Sequence, residues 1–301
     1  MEQEKLIMNT IRKHVQGLAL QTIERIESGQ NNDVWLIDST YIFRFPKYAE
    51  GIRQLEREAA LLTLLAGRLP LEVPCPAFYA LEPSAAGRAF IGYRIIEGVP
   101  LEGERLERMN DPAALSRIAG QLADFLRALH STDPEGWCGP EAASEYDPFQ
   151  EWEDLYRRLQ SKLYRFMNPE ARARTDRHFA DFFAAKEHGR IVPALIHGDF
   201  GTENILYDPA AMRVTGVIDF GSAQPGDPAI DYAALLASYG EGFVRLVSEL
   251  NPEICDMMER VRFCKGTFAL QEALFGLEHG DDDAFRSGLE TVNGLDESRI
   301  F

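Results

Sequence analysis

Two short segments near residue 200 restrict this chain more than anything else in it. They are His197-Gly198-Asp199-Phe200-Gly201-Thr202-Glu203-Asn204 and Ile218-Asp219-Phe220-Gly221. Between them, residues 205–207 and 214–218 read as a short hairpin about an Asp208-Pro209 turn. Three oxygen-bearing side chains therefore stand on two neighbouring loops. An Asp can accept a hydroxyl proton, an Asn a few residues on can ligate a metal, and a second Asp can hold Mg²⁺ against phosphates. Metal-assisted phosphoryl transfer needs these groups. At average residue usage the conjunction arises by chance on the order of 10⁻⁵ to 10⁻⁴ in a chain of this length. Unrelated turn and cap residues are the poorer explanation.

The chain ahead of the motif reads as a small mixed lobe over residues 1–97. A short helix over 3–16 carries Leu6, Ile7, Ile11 and Val15 on one side, and strand-like runs follow at 20–27, 33–38 and 41–45. In the last run, alternation sends Ile42 and Arg44 to one face and the aromatics to the other. Residues 52–66 have helical spacing up to Gly67, two more strands are expected at 76–81 and 89–96, and Gly98-Val99-Pro100 reads as a hinge. From 98 to 301 the pattern is mostly helical. Asp111-Pro112 starts a helix that runs to His130, helices are expected at 147–166 and 169–186, and helices return from 228 to near 292.

Composition narrows the partners. The formal net charge is −17, and residues 201–301 hold much of it, with 7 basic against 18 acidic side chains. Nucleic acid is a poor partner for such a surface, whereas a cationic small molecule is attracted to it. No apolar run reaches a membrane span, and the acidic start Met1-Glu2-Gln3-Glu4 has no signal-peptide core, so a cytoplasmic location is expected. Cys75, Cys138, Cys255 and Cys264 are scattered without metal-ligand spacing and are expected as reduced thiols.

The motif pair is similar to the H-R-D-x-x-x-x-N and D-F-G elements of protein kinases, with Gly198 at the Arg position. With Gly226-Asp227-Pro228-Ala229-Ile230-Asp231-Tyr232 added, the chain resembles the aminoglycoside phosphotransferase family over essentially its whole length. The run Tyr41-Ile42-Phe43-Arg44-Phe45-Pro46-Lys47 and the ending Ser298-Arg299-Ile300-Phe301 look closest to the subclass acting on the 2-double-prime hydroxyl. That resemblance implies an α+β, bilobal protein-kinase-like fold, with a β-rich N-lobe at 1–97 and a helical C-lobe at 98–301. It implies a monomeric, Mg²⁺-dependent O-phosphotransferase that moves the γ-phosphate of a nucleoside triphosphate to an antibiotic hydroxyl, giving antibiotic resistance. A kinase of another hydroxylated molecule (a macrolide or a metabolite) and an inactive nucleotide-binding module are the alternatives. A protein kinase fits less well, because no A-P-E segment follows Gly221.

By the same resemblance Asp199 is the catalytic base, Asn204 and Asp219 are metal ligands, and His197 and Asp231 support the loop. Arg44 takes the position of the phosphate-binding lysine, with Lys47 as a second choice. Its partner is expected to be Glu58 rather than Glu56. Ser28 and Asn31 belong to the loop over the triphosphate. Tyr93 stands at the purine-pocket entrance, with Arg94 and Ile96 offering backbone groups to the base. In that subclass a bulky Tyr here accompanies guanine preference, so GTP is expected to serve at least as well as ATP. Glu203, Asp227, Glu241, Phe268, Gln271, Glu272 and Glu278 are the candidates for the acceptor site.

Overall fold

Alternation of apolar and polar residues, with turn residues between the runs, builds an antiparallel sheet from the first hundred residues. In the computed structural model, residues 2–26, 32–81, 88–133, 137, 147–185 and 191–294 are described. Helix α1 (Glu2–His14) precedes strands β1 (Ile23–Ile26), β2 (Asn32–Ile37) and β3 (Tyr41–Pro46). Helix α2 (Ala49–Leu65) then leads to β4 (Pro76–Ala80) and β5 (Phe90–Arg94), in the five-stranded order β1-β2-β3-β5-β4. The expected alternation in β3 holds. Phe43 and Phe45 pack with Trp35, Ile37, Phe90 and residues of α1. Ile42 faces the other way, onto Leu55 of α2, Ile91 and Tyr93. Arg44 shares the Ile42 face, so register alone carries a guanidinium to the helix side of the sheet.

The chain falls into two compact units. One comprises Met1–Arg105, Met109–Ala128 and Thr202–Ala223; the other comprises Leu106–Arg108, Leu129–Gly201 and Gln224–Phe301. A single division at 97/98, as read from the sequence, differs from this grouping because segments far along the chain pack with the sheet. The expected hairpin is β8 (Ile205–Asp208) and β9 (Arg213–Val217), and β8 also pairs with β6 (Val99–Pro100) directly after the sheet. Val217 N–H donates to Glu72 O at 2.9 Å. Gln121, on helix α4 (Pro112–His130), exchanges two hydrogen bonds of 2.9 Å with the Val214 backbone. The Asp111 carboxylate caps α4 through the amides of Ala113 and Ala114, each at 3.0 Å.

The second unit is mainly helical, with α3 (Gly103–Glu107) reaching into it. Its helices are α5 (Pro148–Arg158), α6 (Pro169–Ala184), α7 (Ala229–Leu250), α8 (Glu253–His279) and α9 (Asp282–Asn293). A π-helical turn, Leu159–Leu163, extends α5. Strand β7 (Ala194–Ile196), not expected from the sequence, pairs antiparallel with β10 (Gln224–Gly226). Both strands are three residues long, too short for a period to register. Phe182 stacks on Phe263 at 3.7 Å between centroids, with Trp152 edge-on to Phe263 at 5.1 Å. Asp281 caps α9 through the amides of Asp283 and Ala284, as a solvated helix start should. Cys75, Cys255 and Cys264 are free thiols, and Cys138 lies outside the described residues.

Helices α8 and α9 approach closely enough that a Cβ on Gly288 would stand 2.5 Å from Ala273 N and 2.7 Å from Ala269 O. Those neighbours are backbone atoms and cannot rotate away. Gly288→Ala is therefore expected to lower stability by about 1–3 kcal/mol. Gly242→Ala, with nothing within 4 Å of the new carbon, should leave it unchanged or slightly higher. Paired urea melts decide this, and equal midpoints for the two variants would contradict the packing argument.

Candidate active site

In the first unit the β8–β9 hairpin sets two donors side by side. Asn204 immediately precedes β8 and Asp219 follows β9 by two residues. Ile218 N–H donates to Asn204 O at 2.9 Å, closing the open end of the hairpin. Asn204 is buried and Asp219 is exposed. Asp219 adopts φ 62° and ψ 71°, the left-handed region, which costs a residue with a side chain of order 1–3 kcal/mol. Such strain persists where the surroundings over-determine it, and here Ile218 is held by its hydrogen bond to Asn204 while Phe220 starts a 3-10 turn. Amide and carboxylate oxygens are hard donors, and one or two of them with substrate phosphates suit Mg²⁺. The residues present therefore fit that ion.

Arg44 links this hairpin to α2. One arm of its guanidinium pairs with Glu58, and the other donates to Asp219 Oδ1 at 3.2 Å. Glu58 is buried on α2 while Glu56 faces solvent, so helical phase selects the expected partner. Burial works against the charge on Arg44, but Glu58, Tyr93 and Asp219 outweigh it and strengthen its hold on the proton. Tyr93 is buried beside the same cluster, and burial pushes its phenol up to about 12, with Arg44 pulling it down. Lys47 is half-buried, Arg94 is exposed as the last ladder residue of β5, and Ile96 is buried. Arg94 and Ile96 line a cleft of about 1160 Å³ that includes none of Arg44, Glu58, Tyr93, Asn204 or Asp219. Ser28 and Asn31 lie outside the described residues.

In the second unit the loop carrying Asp199 leaves β7 and is pinned from beneath by Asp231, in the first turn of α7. Asp231 is fully buried and accepts from His197 N and Gly198 N, each at 2.9 Å. His130 Nε2 donates to it at 2.9 Å. Burial favours its neutral form, yet the hydrogen bond and charge of His130, with the contribution of His197, hold its carboxyl below the ordinary range. Gly198 has φ +78°, a backbone state that L side chains rarely adopt. This explains a glycine where the kinase motif has arginine. Asp199 N–H donates to His197 Nδ1 at 3.3 Å, and the Asp199 side chain is exposed. His197 is buried and bonded within the loop. His130 was missed by sequence reading; its only signal was a polar residue ending an apolar stripe.

The acceptor candidates divide by environment. Asp227 turns inward. It is 1% exposed, pairs with Arg260 at 2.8 Å and caps Ala229 N at 2.9 Å, so it anchors the start of α7. Glu278 is held by Arg158 and by Lys162 at 2.8 Å; the Arg158 hydrogen bond, against partial burial, draws its carboxyl down to about 2. Arg158 immediately precedes the π-helical turn and Lys162 lies within it; neither was expected. Gln271 Nε2 donates to Thr267 Oγ1 at 2.8 Å, and exposed Glu241 pairs with Arg262 at 3.3 Å. Phe268 is half-buried, and Glu203 and Glu272 are exposed.

The pattern of the phosphotransferase enzyme family (APH) matches residues 22–263. Viomycin phosphotransferase of Streptomyces vinaceus is 30% identical over 268 residues, covering 88% of this chain and 90% of that protein. The GDP complex of wild-type aminoglycoside 2'-phosphotransferase-IIIa superposes with TM-score 0.89 at 25% identity, covering 99% of both chains. The GDP and kanamycin complex of APH(2")-IIIa gives TM-score 0.87 at 26% identity, covering 97% of this chain and 98% of that one. The kinase-like α+β fold expected from the sequence is thereby established.

Asp231→Asn leaves one of two loop amides without an acceptor, and is expected to cost about 1–3 kcal/mol. Because the folded-state pKa is depressed, the carboxylate stabilises above the unfolded value near 4, and this is lost as pH falls through the folded pKa. The stability gap between wild type and variant should be present near neutral pH and shrink as pH falls below about 4. Thermal melts across that range measure it; a gap that persists at low pH would contradict the assignment.

Proposed function

The chain belongs to the phosphotransferase enzyme family, and within it we propose a kinase that moves the terminal phosphoryl group of a nucleoside triphosphate to a hydroxyl of a cationic antibiotic, an aminoglycoside first. The Asn204–Asp219 pair at the end of one hairpin, tied through Arg44 to Glu58, is the observation that carries this reading. Asn204 and Asp219 would hold Mg²⁺, which when bound neutralises charge on the phosphoryl oxygens. Arg44 supplies donors to phosphate oxygens. Asp199, on the loop pinned by Asp231, orients the acceptor hydroxyl and takes its proton. His197 keeps that loop in shape through Nδ1. The relatives support the acceptor class: one is named for viomycin and another was solved with kanamycin and GDP.

GTP is proposed as a substrate at least equal to ATP, because Tyr93 fills the end of β5 with a buried ring and two similar solved structures hold GDP. Among the described residues no helix is long and apolar enough to cross a membrane, and a cytoplasmic monomer is the proposed setting. A second reading, an acceptor other than a polycation, has one observation in its favour. Asp227 and Glu278 already spend their charge on Arg260, Arg158 and Lys162.

A panel of kanamycin, gentamicin, viomycin, erythromycin, choline and homoserine, each assayed for phosphorylation with GTP and Mg²⁺, tests the function. Transfer to an aminoglycoside supports the first reading; transfer to erythromycin or a metabolite alone selects the second. Asp199→Asn should lower kcat by about 10²–10⁴-fold with an unchanged melting temperature; full activity in this variant would remove the assigned base. Tyr93→Ala should shift kcat/KM toward ATP. A wild type that strongly prefers ATP, with no change in the variant, would remove the guanine preference.

A further inference from the structure

Arginine at position 44 does something a lysine cannot, and the geometry shows what. Its two terminal nitrogens point to different carboxylates, Nη1 to Glu58 and Nη2 to Asp219. A planar guanidinium presents donors in a fixed fork, whereas an ammonium is one compact charge on a flexible stem. The two carboxylates differ in freedom. The Glu58 side chain is 3% exposed, so that arm is committed; the Asp219 side chain is 52% exposed, so that pair can open. The cluster carries one positive and two negative charges, and a bare nucleotide phosphate would meet net negative charge and an occupied arginine arm.

We propose that the Arg44–Asp219 pair is a gate that makes nucleotide binding conditional on a divalent cation. The proposal rests on the nucleotide and metal roles assigned above, and adds a positioning role for Arg44 that belongs to this chain's arginine. While Asp219 faces Arg44, the Nη2 arm is sequestered. A cation that takes over Asp219 frees the arm for phosphate, so metal and nucleotide enter together. The left-handed backbone of Asp219 fits this role, since it fixes where the carboxylate starts and leaves side-chain rotation as the moving part.

Calorimetric titration with GDP, in excess EDTA and in Mg²⁺, tests the gate without turnover. Asp219→Asn should tighten metal-free GDP binding about tenfold over wild type. Asp219→Gly should do the same, and glycine accepts φ 62° without strain, which keeps the test intact if the Asn variant folds poorly. The decisive arm is the background Arg44→Gln with Glu58→Gln, a neutral pair in place of the buried ion pair. There, where no arginine arm is sequestered, Asp219→Asn should tighten metal-free GDP binding several-fold less than it does in the wild-type background. Equal tightening in both backgrounds would mean simple charge repulsion, and no tightening in either would mean that the arm is not sequestered; both overturn the gate. Failure of wild type to bind GDP even with Mg²⁺ would instead overturn the nucleotide role itself.

Discussion

A charge taken out of water costs several kcal/mol unless hydrogen bonds and an opposite charge replace its hydration, and each unit of this protein is organised around one such charge. In the second unit it is Asp231. Three donors converge on its carboxylate, two of them amides of the loop that carries Asp199. The loop is thus shaped by the need to satisfy a buried anion, and the exposed Asp199 side chain inherits its position from that. In the first unit the buried pair Arg44–Glu58 has the same role, and Asp219 is attached to it from the outside.

The two arrangements divide the work in a physically sensible way. Groups that must stay still are buried and fully bonded: His197, Asp231 and Glu58. The two carboxylates given reactive roles in the proposed function, Asp199 and Asp219, are exposed. Strain at Asp219 is tolerable because β9 and the Ile218–Asn204 hydrogen bond hold one side of it and the turn at Phe220–Ser222 the other.

Much of this was legible residue by residue. Alternation in 41–45 gave the face of Arg44, a short-range periodicity that tertiary contacts left intact, and the resemblance preferred Glu58 to Glu56, which its burial on α2 matches. The Asp111-Pro112 start was readable because capping is a local hydrogen bond. Less legible were β7 and β10, three residues each, and the π-helical turn after α5. The grouping of residues 109–128 and 202–223 with the N-terminal sheet was equally hidden, since Glu72–Val217 and Gln121–Val214 are bonds between distant segments.

The sequence by itself determined the chemistry on offer: an Asp and Asn on one loop, an Asp on the next, a basic residue on β3 and an acid on α2. Residue type, spacing and period are local properties, and they survive folding. Only the tertiary structure decided which carboxylates keep their charge available. Asp227 and Glu278 looked equivalent to Glu203 and Glu272 along the chain, yet Arg260, 33 residues away, claims the first, and Arg158, 120 residues away, claims the second. Ion pairing acts over a few ångströms of space, whatever the separation in sequence, so the free anions of a surface are known only once the chain has folded.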